Sequence, residues 1–159
     1  MLKKKEWSRK YYQKNKIRIR EVQNKWRSTP KGREIWKECH LRYQSSPKGI
    51  YTVLRKNNPK GKIKITRKEF IAWYKNQEKR CYYCEIPQDI LISIPLFNRT
   101  KKRLEIERKN NNLSYQMDNL ILSCPRCNSI KSDILFSREM KEIGEKYLKP
   151  KWEKYVQKK

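Results

Sequence analysis

The chain has 159 residues, with 42 Lys or Arg against 16 Asp or Glu, a formal charge of +26 and 36% hydrophobic residues. That length accommodates one ordinary domain with an appendage, and no apolar run approaches the roughly 20 residues a membrane-spanning helix needs. The charge excess far outruns what solubility requires and points to a polyanion, nucleic acid first and an anionic membrane surface second.

No signal-peptide pattern follows the basic start. The expectation is therefore a soluble intracellular protein, cytoplasmic or nucleoid-associated. Five cysteines fit four metal ligands and a spare, Cys39, better than a disulfide framework.

Residues 1–64 form a basic leader with 21 Lys or Arg, four Glu and no Asp. It contains a repeat: Trp26-Arg-Ser-Thr-Pro30-Lys-Gly32 recurs as Tyr43-Gln-Ser-Ser-Pro47-Lys-Gly49, with a worn third copy at Asn58-Pro59-Lys-Gly61. Proline after Ser or Thr is a helix-start signal. It predicts helices from about Lys4 to Trp26, from Pro30 (cap Thr29) to Gln44, and from Pro47 (cap Ser46) to just before Asn57. Apolar side chains are too thin for a separate core. The functional reading is a DNA-tracking arm contacting phosphates through Lys31, Lys48 and Lys60; the bland one is a solvated, partly disordered tail.

Residues 62–65 alternate like a short strand, and Thr66-Arg-Lys-Glu69 is a capping box. The helix it opens runs to about Glu78 with Phe70, Ile71, Trp73 and Tyr74 on its core side; base stacking by Trp73 or Tyr74 is the lesser alternative. Cys81-Tyr-Tyr-Cys84 follows, one tyrosine expected inward and one outward. Residues 85–103 read as an irregular loop or hairpin. Leu104 to Glu107 alternates as a strand, Lys109 to Tyr115 is a polar loop, and Leu120 to Leu122 returns as a second strand. Cys124-Pro-Arg-Cys127-Asn128 turns into a helix reaching Lys131. A last helix from Ser137 places Met140, Ile143, Tyr147 and Leu148 on one face, and Trp152 and Tyr155 continue it past Pro150. Two Cys-x-x-Cys pairs separated this way predict one structural zinc held by Cys81, Cys84, Cys124 and Cys127. Free, partly buried thiols are the competing reading. His40 beside Cys39 reads as helix surface rather than a second zinc site.

Strand, loop, strand and helix with a knuckle at each end resemble the HNH (ββα-metal) endonuclease family, in particular its PacI-type restriction enzymes. The resemblance covers about residues 66–149. It is carried by Phe70-Ile-Ala-Trp-Tyr74, both Cys pairs, Ile106-Glu107-Arg108, Tyr115-Gln-Met-Asp-Asn119, Cys124 to Ile134, Glu139-Met140 and Ile143-Gly144. It implies hydrolysis of a DNA phosphodiester with one Mg²⁺ or Mn²⁺, held by Glu107 and Asn128. It gives Asn119 the role of bracing the inter-strand loop. Arg108 stands where most members carry a histidine base; arginine stays protonated, so its implied role is to clamp the phosphate. Tyr83 is the implied replacement base, with simple packing beside zinc as its alternative. Glu107 stands where most members have Asp. A second knuckle and a histidine ahead of the helix at residue 66, both features of the PacI type, are missing; Lys62 falls near that histidine's place.

The expected architecture is α+β: residues 1–64 a basic helical repeat arm, residues 65–159 a zinc-stapled ββα-metal nuclease domain. Arg126 and Lys131 join the arm lysines as expected DNA contacts. The expected function is a sequence-selective endonuclease acting on double-stranded DNA, of restriction or homing type. A two-fold target site would call for a homodimer. The alternatives are a zinc-containing DNA-binding protein with weakened cleavage and, further off, an RNA-binding structural protein.

Overall fold

The computed structural model describes residues 2–59, 61–94, 97 and 103–158, with side chains from residue 8 onward. The chain divides into two compact units, residues 1–44 and 45–159.

The first unit holds α1 (Leu2–Ser28) and most of α2 (Pro30–Ser45). The repeat Trp-x-Ser-Thr-Pro-Lys-Gly is the corner between them. Thr29 donates its backbone N–H and its hydroxyl to the Trp26 carbonyl (3.1 and 2.7 Å), and its Oγ1 accepts from Gly32 N at 3.0 Å. A Cβ on Gly32 would lie 2.0 Å from the Trp26 oxygen, so only glycine closes this corner. Tyr11, Tyr12, Ile17, Trp26, Trp36 and Tyr43 are exposed along these helices. Helix propensity and capping, rather than burial, hold them.

The second unit begins with α3 (Pro47–Asn57), whose Ser46 Oγ caps Gly49 N at 3.2 Å. Read from sequence as the arm's last helix, α3 instead buries Ile50, Tyr51 and Leu54 in the core. Residues 62–64 run beside the inter-strand loop through an isolated parallel bridge, Ile63 to Tyr115. α4 (Arg67–Asn76) opens with the expected Thr66–Glu69 capping box and buries Phe70, Trp73 and Tyr74. The stretch read as an irregular loop contains α5 (Gln88–Ser93). Leu91 on α5 is buried, as are Ile94 and Phe97 beyond its end.

β1 (Glu105–Arg108) and β2 (Leu120–Ser123) pair antiparallel, with Glu105 opposite Ser123 and Glu107 opposite Ile121. A 3₁₀ turn, Met117–Asn119, leads into β2. α6 (Pro125–Lys131) follows, capped by the Cys124 sulfur. α7 (Ser137–Ile143), a π-helical turn (Gly144–Leu148) and α8 (Lys149–Gln157) complete the unit. Met140 and Leu148 are buried, Ile143 and Trp152 pack against the core, but Tyr147 is exposed, contrary to the single apolar face expected. The π-turn widens the helix and carries Tyr147 off that face.

Candidate metal centre and active site

Cys81, Cys84, Cys124 and Cys127 are all buried, and their sulfurs lie within 4.8 Å of one another. The backbone builds this. Cys124 N–H donates to Cys81 Sγ at 3.2 Å and Cys127 N–H to Cys124 Sγ at 3.3 Å. Glu85 takes a left-handed φ of 59° to close the first knuckle, with its N–H on the Cys81 carbonyl.

The C-terminal segment grips that knuckle residue by residue. Lys141 Nζ bonds the Tyr82 carbonyl (3.0 Å), Gly144 packs on Tyr83, Trp152 Nε1 bonds the Cys84 carbonyl (2.8 Å) and Lys149 pairs with Glu85 (2.5 Å). Burial pushes the Cys81 thiol up, but hydrogen bonds from the other three cysteines outweigh it and draw it down; hydrogen bonding to Cys124 and Cys81 pushes Cys127 up. Four thiols this close lose their protons together only around a cation, and the donor set fits a structural zinc.

Zinc would tie the hairpin to α6, and side chains cross between them as two rungs. Glu105 and Glu107 share one face of β1; Asn128 and Lys131 share one face of α6, one turn apart. Asn128 Nδ2 donates to Glu105 Oε2 at 2.8 Å. Lys131 Nζ pairs with Glu107 Oε1 at 3.1 Å and donates to Asn111 Oδ1 at 2.8 Å. Tyr83 Oη also donates to Glu107 Oε1, at 3.3 Å. Glu107 Oε2 is buried with no hydrogen-bond partner, and so is Ser123 Oγ. Burial pushes the Glu107 carboxyl up; the Ser123 hydroxyl beside it, then Lys131 and Tyr83, pull the other way without cancelling the shift.

Two sequence expectations are corrected by burial. Lys131, expected on DNA, is fully buried and engaged by Glu107 and Asn111. Tyr83, expected as a base beside the phosphate, is also fully buried; burial and then the Glu107 charge push its phenol well above the usual tyrosine range. The buried position fits the packing alternative for Tyr83, and the Arg108 cation turns to the inter-strand loop. Its Nη1 bonds the Asn111 and Leu113 carbonyls (2.6 and 3.0 Å) and its guanidinium lies over the Tyr115 ring.

Asn119 braces the same loop from below. Its Oδ1 accepts from Asn110 N (2.8 Å), and its Nδ2 donates to the carbonyls of Asn110 and Ser114 (both 3.0 Å). Lys31 and Lys48 are exposed, Arg126 is half-buried, and Lys60 lies outside the described residues. Residues missed from sequence are Glu105, the partner of Asn128, and Asn111, the second partner of Lys131. The matched spacing of β1 and α6 was the available signal.

Glu107, Arg108, Asn111, Asn128, Ser132 and Asp133 line one cavity of ≈ 200 Å³. Ser132 ends α6 with a φ of 46°, a strained value for a residue with a side chain.

No family model and no curated protein matches the chain. Among solved structures it is similar to the rare-cutting HNH restriction endonuclease PacI, with a TM-score of 0.54 and 25% identity over 67% of this chain and 75% of that one. No described helix is long and apolar enough to cross a membrane. With the hairpin, the helix and the buried four-cysteine cluster in place, the chain has the HNH-like fold that PacI shows.

Proposed function

We propose that this protein is a DNA endonuclease that hydrolyses a phosphodiester at the cavity lined by Glu107, Arg108 and Asn128, with the cluster of four cysteines holding zinc as a structural staple. The observation that carries the reading is that these three residues line one cavity within an HNH-like fold. Oxygen donors suit a hard divalent ion, Mg²⁺ or Mn²⁺. Glu107 has a buried oxygen lacking a partner, and Asn128 Oδ1 makes no hydrogen bond among the described residues; these two residues would hold the ion. When bound, it would stabilise the negative charge that grows on the phosphate and the leaving oxygen.

Arg108 commits Nη1 to the loop. Its remaining guanidinium donors make no hydrogen bond among the described residues, and they would clamp the phosphate. Asn119 and the loop it braces keep Arg108 in position. The basic leader would supply sequence-independent affinity by neutralising phosphates. Selectivity for a target site, and a homodimer for a two-fold site, complete the proposal.

A second reading, a DNA-binding protein with weakened cleavage, draws on one observation: Glu107 is buried and already neutralised by Lys131. Supercoiled plasmid incubated with Mg²⁺ or Mn²⁺ separates the two. Linear product from the parent and none from Glu107→Ala supports paired cutting sites; nicked circles support single-strand cuts. Tight DNA binding without cleavage in either metal overturns the endonuclease reading.

A further inference from the structure

Among the described residues, Glu105 is the acidic group that hydrogen-bonds Asn128, and it has no part in the chemistry proposed so far. We infer that Glu105 is a positioning residue: its carboxylate fixes the orientation of the Asn128 amide, so that Oδ1 is the atom offered to a divalent cation. This role rests on the metal-dependent reading of the site.

Donor and acceptor identity decides which way the amide faces. An ionised carboxylate only accepts hydrogen bonds. Contact at 2.8 Å between Glu105 Oε2 and the Asn128 amide therefore requires the NH₂ group on that side. The carbonyl limb is then turned away from Glu105, and it makes no hydrogen bond among the described residues. An asparagine free to rotate would present NH₂ to a cation in half of its orientations, and NH₂ is no ligand. Outer partners of this kind typically change metal affinity by about 10–100-fold.

Strand geometry places Glu105 for this task. It sits two residues before Glu107 on the same face of β1, and Asn128 sits one turn before Lys131 on α6. The two rungs differ in purpose. Lys131 balances the buried charge of Glu107, whereas Glu105 is half-buried and directs its oxygen at a neutral amide.

The test measures Mn²⁺ binding by the zinc-loaded full chain, from the loss of the free-ion electron paramagnetic resonance signal, without DNA. Two variants separate orientation from charge. Glu105→Asp keeps the charge but withdraws it by a methylene, so the whole Asn128 side chain is released and binding must re-fix its rotamer as well as its amide direction; Mn²⁺ affinity should fall about tenfold. Glu105→Gln removes the charge but can still accept from Asn128. Its amide can also turn to hold Asn128 the wrong way round, which halves the competent fraction and weakens binding about twofold. Zinc stoichiometry and DNA affinity in metal-free buffer should stay at parental values in both. The opposite ranking, with Asp near the parent and Gln strongly weakened, would mean that only charge matters and would overturn the inference. Equal affinity in all three would overturn it too. A parent that binds no Mn²⁺, while Asn128→Ala behaves identically, would instead overturn the metal-dependent reading and this inference with it.

Discussion

Residues 1–44 and residues 45–159 are both helix-rich, but different forces hold them. The first unit carries 15 Lys or Arg and four Glu, and leaves Trp26, Trp36, Tyr11, Tyr12 and Tyr43 exposed. Its structure is local: caps, i to i+4 bonds and a glycine corner. The second unit buries Phe70, Tyr83, Phe97 and Met140 completely, along with four cysteines. Several of its helices are short; α5 has six residues and α6 seven, below what is stable alone in water. They depend on the core and on the cysteine cluster. The contrast shows two ways for a highly charged chain to keep a shape: local capping in the exposed helices of the first unit, burial around a four-cysteine cluster in the second.

Metal removal should break that contrast most completely. A chelator, or Cys127→Ser, should abolish the cooperative melting of the second unit while much of the α1–α2 helical circular dichroism persists. Simultaneous loss of both would mean that the arm's helices depend on the core.

Lys131→Ala should come next. It leaves Glu107 buried without its cation, at a cost of about 3–5 kcal/mol in urea unfolding near neutral pH. The sign of the pH effect is fixed by the raised Glu107 carboxyl. Below the ordinary glutamate value of about 4.3 the side chain is protonated in both folded and unfolded chains, and the variant carries no charge penalty. As pH rises through the higher folded-state value, the unfolded chain ionises more readily and the variant loses stability. A deficit that does not grow with pH would remove Glu107 as the cause.

Gly144→Ala is a smaller insult to the same unit. A Cβ there would lie 2.5 Å from the Tyr83 carbonyl oxygen, so the C-terminal grip on the knuckle must shift. A loss of about 1–3 kcal/mol is expected, with zinc retained. Deleting residues 1–44 should have the least effect on stability, leaving the melting of the remainder unchanged. It should nonetheless weaken DNA binding and flatten the dependence of affinity on salt, by about 0.9 in log–log slope for each phosphate that the arm no longer neutralises. An unchanged slope would remove the arm from DNA recognition.

Much of the fold was legible because local rules decide it. The Thr29, Ser46 and Thr66 caps, the two Cys-x-x-Cys pairs and the alternation at Leu104–Glu107 each dictate their structure within a few residues. α5 is hidden because it has only six residues and follows Pro87 with no side-chain cap to announce it, and α3 reads as part of the arm because its charge and repeat resemble the arm's while its burial depends on α4.

The sequence alone determined which four cysteines come together and the hairpin-to-helix order, since spacing survives without coordinates, and its net charge is what points to a polyanion. Tertiary structure decided which charges are already engaged. Lys131, Tyr83 and Glu107 look available in a sequence, but only packing shows that the first two meet on one Glu107 oxygen out of water and leave its other oxygen without a partner. The pairing of Glu105 with Asn128 likewise arises from the distance between a strand and a helix, which no local rule specifies.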